Sequence, residues 1–96
     1  MGNVNHPDYY KKEGRKECIQ EMIEKYGRRD TAIFCLLNAY KYIYRAGAKD
    51  GNSEEQDIAK ARWYFNFATE RLSSNITGSI LVKLYLDIEG ALKAYD

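Results

Sequence analysis

Hydrophobic positions recur at steps of three and four along most of the chain, the period of helices with one buried stripe. Cys18, Ile19, Met22, Ile23 and Tyr26 form the first stripe and predict a helix over about Arg15 to Tyr26, stopped by Gly27. Asp30 or Thr31 is the expected cap of a second helix, Thr31 to Ala46. At 100° per residue, Ile33, Leu36, Leu37, Tyr40, Ile43 and Tyr44 fall on its expected core face. Phe34, Asn38, Lys41, Tyr42 and Arg45 share the opposite face. Ser53-Glu54-Glu55-Gln56 has the form of a capping box and opens a third helix, about Glu54 to Leu72. Its main stripe is Ile58, Ala61, Phe65, Ala68 and Leu72, while Trp63 and Phe67 point elsewhere. A fourth helix, about Gly78 to Ala94, carries a wide apolar arc through Ile80, Leu81, Leu84, Tyr85, Ile88, Ala91, Leu92 and Tyr95. Its first half also has the composition of a strand, but one strand would have no partner here.

Four helices in 96 residues predict one all-α domain over residues 1–96. The expected form is a compact four-helix, bundle-like fold after an extended N-terminal lead-in, Asp8-Tyr9-Tyr10-Lys11-Lys12-Glu13. The two-sided third helix and the wide arc of the fourth would be better covered in a homo-oligomer, which is the expected state.

Composition narrows the function classes. With 45% hydrophobic and 30% charged residues the chain reads as globular rather than disordered. A net charge of +1 argues against a dedicated non-specific nucleic-acid binder. No apolar run is long enough for a membrane span and the N-terminus lacks a leader-like apolar segment, so the expected location is cytoplasmic, with no membrane partner. Cys18 and Cys35 lie in apolar-periodic segments without a CxxC pair and read as two reduced core residues. His6 is the single histidine and stands near the chain start, a poor foundation for a zinc site or a Ser-His-Asp triad. Phosphate-loop and dinucleotide glycine motifs are missing. No catalytic residue, metal site or certain cofactor is assigned, and the reading leans away from an enzyme.

The candidate chemistry is a surface. Thr31 to Lys49 holds three basic residues and no acid, and Asp50 to Lys60 holds four acids and one base. One reading is internal pairing, with Arg45 set against Asp57 or Glu17. The other starts from Asn38, Lys41, Tyr42 and Arg45, which fall within about 100° of arc on the second helix. Arg and Lys hold phosphate, Asn offers a donor and an acceptor to a base or ribose edge, and Tyr offers a stacking face. Tyr10, Lys49, Lys60 and Tyr64 extend this patch. Glu17 and Glu21, with Asp57, are the candidate acidic partners for Mg²⁺ if the protein modifies nucleotides.

The string His6-Pro7-x-x-Tyr10, Glu17-Cys18-Ile19, Phe34-Cys35-x-x-Asn38-Ala39-x-Lys41-Tyr42-x-x-Arg45-Ala46-Gly47-x-Lys49 and Glu55-x-Asp57-x-x-Lys60-Ala61-x-Trp63-Tyr64 resembles a small phage-borne family. That family is catalogued as a domain of unknown function and sometimes labelled SaV-like or nucleotide-kinase-like. The resemblance covers roughly His6 to Tyr64; the fourth helix lies outside it. It implies a phage or prophage origin, hence the host cytoplasm, and a link to nucleotides, because a larger phage protein similar to the family is a nucleoside monophosphate kinase without a Walker loop. Three functions follow as expectations. The first is binding of a nucleotide or other phosphorylated ligand. The second is a host-directed interaction protein, an inhibitor of the anti-defence or anti-CRISPR type, with Trp63, Phe67, Tyr44 and the Tyr9-Tyr10 lead-in as anchors. The third is a nucleoside monophosphate kinase or nucleotide phosphohydrolase.

Overall fold

The computed structural model describes residues 17–48, 51 and 53–96, and the expected lead-in lies outside them. The chain order is α1 (Cys18–Tyr26), α2 (Arg28–Tyr44), α3 (Glu54–Arg71), a 3-10 turn (Ser73–Asn75) and α4 (Ser79–Lys93). No strand occurs among the described residues, so the ambiguous segment after Gly78 is helical and the domain is a compact all-α bundle.

The α1–α2 junction is tighter than the caps suggest. Gly27 alone joins the two helices, with φ of 95°, and its N–H donates to Ile23 O at 2.9 Å. A left-handed glycine turns the chain without a loop. The second helix therefore starts at Arg28, and neither Asp30 nor Thr31 caps it. The Thr31 hydroxyl instead donates back to Gly27 O at 2.8 Å. Arg28 and Arg29, at a helix end that disfavours cations, reach across the fold: Arg28 donates to Asn75 Oδ1 at 3.0 Å and to Arg71 O, and Arg29 to Thr77 Oγ1 at 3.0 Å.

Helix α2 also sits about a third of a turn from its expected orientation. Its buried residues are Thr31, Ala32, Cys35, Leu36, Ala39 and Tyr42, whereas Leu37, Tyr40 and Tyr44 are exposed. The reason is backbone approach. Ala32, Cys35 and Ala39 on α2, with Ala61 and Ala68 on antiparallel α3, are small and wholly buried, and small facing residues let two helices pack closely. The larger side chains pointed the periodicity at the wrong face. Helix α3 keeps its expected stripe, with Asp57 and Tyr64 added to the buried set. Leu81, Ile88 and Leu92 seat α4, while Ile80, placed by periodicity in its buried arc, is exposed. Of the two expected core cysteines, Cys35 is buried and Cys18 is exposed; both are free thiols.

Candidate functional site

The close α2–α3 pair brings the end of one helix against the start of the other. The capping box forms as expected: Gln56 N donates to Ser53 Oγ at 3.0 Å and Ser53 N to Gln56 Oε1 at 3.2 Å. One turn later Asp57 is fully buried. Its Oδ2 accepts the N–H of Gly47, in the turn after α2, at 3.3 Å, and its Oδ1 is buried with no hydrogen-bond donor among the described residues. Gly47 has φ of 74°, and a Cβ there would stand 3.1 Å from Glu54 Cβ, so the turn needs glycine.

Beside this tie, Tyr42 and Tyr64 stack with centroids 6.1 Å apart and planes 11° apart. Three cations surround the Tyr42 ring. Lys41 Nζ is 4.7 Å from its centroid, Arg45 Cζ 4.9 Å and Lys60 Nζ 5.6 Å. The electron-rich face attracts each cation, while their mutual repulsion favours an anion among them. None of the three is in an ion pair among the described residues, and Arg45 Nε is buried without an acceptor. The expected internal pairing of Arg45 with Asp57 or Glu17 does not occur. Asn38 is half-buried on the same flank of α2.

On the far side of Tyr64 lies a small apolar cavity of about 70 Å³ between α1, α2 and α3, lined by Glu17, Cys18, Ile19, Met22, Phe34, Trp63 and Tyr64. Phe34 and Trp63 both meet Tyr64 edge-on, at centroid distances of 5.7 and 5.0 Å. Trp63 also stacks on Phe67 at 5.5 Å, and Arg71 lies over Phe67 at 5.1 Å, so the second face of α3 is an aromatic ladder.

The structure thus gathers Lys41, Tyr42, Arg45, Lys60 and Tyr64, with Asp57 beneath. Tyr10 and Lys49 lie outside the described residues. Tyr42 and Tyr64 are only 7% and 5% exposed, so the expected stacking faces are internal platforms instead. Glu17 lines the apolar cavity and Glu21 pairs with Lys25 at 3.1 Å; among the described residues no three His, Cys, Asp or Glu side chains form a metal-binding group. Phe34, Ile19 and Met22 were not in the sequence-read site. Phe34 had a signal, one turn before Asn38 on the same flank, but the part played by α1 was not legible.

The matched region decides the family. A family model described as a protein of unknown function, DUF3310, matches residues 4–66. The chain belongs to the DUF3310 family. Its matched span holds α1, α2 and most of α3, and therefore the cations around Tyr42 together with Tyr64; Phe67, Arg71 and α4 lie beyond it. No curated protein and no solved structure matches the chain. No helix among the described residues is long and apolar enough to cross a membrane.

Proposed function

We propose that this DUF3310 protein binds a nucleotide or another phosphorylated small molecule at the α2–α3 end. The observation that carries the reading is the gathering of Lys41, Arg45 and Lys60 around one ring without an ion-pair partner among the described residues. Such a group takes phosphate by charge-assisted hydrogen bonds, Arg45 by its planar fork and the lysines as point charges. Tyr42 and Tyr64 hold these cations in place rather than stacking on the ligand. Asn38 is the polar selector beside them. The cavity at Phe34, Trp63 and Tyr64 has room for the edge of a base, not for a whole nucleotide. The sequence resemblance supports the finer part of the reading, a phage protein acting on nucleotides in the host cytoplasm.

Thermal melts of the full chain with inorganic phosphate and with nucleoside mono-, di- and triphosphates test it. A ligand at 100 times its Kd adds about 2.7 kcal/mol of stability, and Lys41→Ala or Arg45→Ala abolishes that gain. Folded protein whose melt no nucleotide or phosphate moves overturns the proposal. Chromatography of a nucleoside monophosphate incubated with ATP and Mg²⁺ separates binding from catalysis, and any turnover makes the protein an enzyme.

A further inference from the structure

Helices α2 and α4 run parallel. Arg29 at the start of α2 meets Thr77, just before α4, while Tyr40, Ile43 and Tyr44 near the end of α2 line one cavity with Asp87, Ile88 and Ala91 near the end of α4. On the outer flank of α2, Ile33, Leu37, Tyr40 and Tyr44 follow steps of four, three and four. The neighbouring flank of α4 repeats those steps with Ile80, Leu84, Asp87 and Ala91. Two parallel helices with the same seam, side by side, are half of a four-helix packing unit.

The seam is open. Tyr44 and Ile80 are each 84% exposed, and Leu37 and Tyr40 each 52%. With 150–250 Å² for an aromatic side chain, these four leave on the order of 500 Å² of mostly apolar surface uncovered. That is near the upper end for a monomer and equals the apolar share of a standard interface of about 800 Å² per partner. The α2 edge carries the hydroxyls of Tyr40 and Tyr44, and the α4 edge carries Asp87, paired with exposed Lys83 at 2.9 Å.

We infer that this face is the interface of a two-fold homodimer, with α2 of each copy laid across α4 of the other. A two-fold axis parallel to the helices makes that crossing, and it sets the hydroxyls of Tyr40 and Tyr44 of one copy level with Asp87 of its mate. A two-fold axis perpendicular to the helices instead packs α2 on α2 and α4 on α4, antiparallel. The area and the matched seam spacing select a second copy as the occupant. The cation cluster around Tyr42 and the α2–α4 face are different flanks of α2, so dimerisation and ligand binding are separate properties.

Sedimentation of the full chain across 1–100 µM, an order-of-magnitude range around moderate affinities, tests the inference. The expected species has twice the 11.2 kDa chain mass. Ile80→Glu and Tyr44→Glu each keep the helical circular dichroism spectrum and weaken association by about 30-fold or more, the loss of one hot-spot contact. In a Cys18→Ser background, spin labels on Lys93→Cys of the two copies lie at the same end of the dimer, because all four interface helices run parallel. A monomer throughout the range overturns the dimer, as does an oligomer that Ile80→Glu and Tyr44→Glu leave intact. A dimer whose two Lys93 labels stand at opposite ends, roughly the length of α4 apart at about 1.5 Å per residue, overturns the α2-on-α4 arrangement.

Discussion

The backbone N–H of Gly47 donates to Asp57 Oδ2 at 3.3 Å, tying the turn after α2 to the first turns of α3, while Oδ1 beside it is buried without a donor among the described residues. A buried carboxylate left half-satisfied is a burden on the fold. Asp57→Asn keeps an acceptor for Gly47 and removes the buried charge. Its expected melt is equal to or above that of the parent. Asp57→Ala removes the acceptor and leaves the Gly47 N–H unmet, at about 1–3 kcal/mol. Chemical denaturation of the two variants side by side checks the split. Equal losses in both would mean that the charge itself supports the fold.

Arg45→Ala separates site from scaffold. Arg45 has no ion pair among the described residues, and its contact with Tyr42 is a cation–π interaction at 4.9 Å, worth about 0.5–1 kcal/mol at exposed sites. The expected fall in Tm is about 2–8 °C, at about 4–8 °C per kcal/mol for a domain of this size. Loss of a charge-assisted phosphate contact costs about 1.5–3 kcal/mol of binding. A fall of more than about 15 °C, several times that scale, would place Arg45 in the scaffold.

Gly47→Ala is more damaging than Gly51→Ala. Both glycines have positive φ, 74° and 87°, which costs an L residue about 1 kcal/mol or more. Only at Gly47 does the added Cβ meet a neighbour, Glu54 Cβ at 3.1 Å. The difference in unfolding free energy between the two variants measures that crowding alone.

The two thiols differ in reactivity. Burial pushes Cys35 up to about 12, whereas Cys18 is exposed. At pH 8 a thiol reagent labels one cysteine per folded chain and two after denaturation. Because unfolding returns Cys35 to its ordinary value of 9.0, the unfolded chain releases this proton first. The Cys35 contribution to stability is therefore intact below pH 9 and declines as the pH rises toward about 12. Cys35→Ala flattens that alkaline decline.

Local signals determined the helices themselves. The four apolar runs, the stop at Gly27 and the capping box at Ser53-Glu54-Glu55-Gln56 rest on backbone hydrogen bonding within a few residues, and the all-α bundle follows from them. The neighbourhood of Lys41, Arg45, Lys60 and Asp57 was also legible, because helical spacing groups the α2 residues and a short turn brings in the start of α3. Tertiary packing alone decided which side of α2 faces inward. Ala32, Cys35 and Ala39 outrank Leu37, Tyr40 and Tyr44 because closeness to Ala61 and Ala68 depends on the partner helix, which no period within α2 encodes. That rotation turned Tyr42 and Tyr64 into a buried platform, left Arg45 without an ion-pair partner among the described residues, and exposed Tyr44.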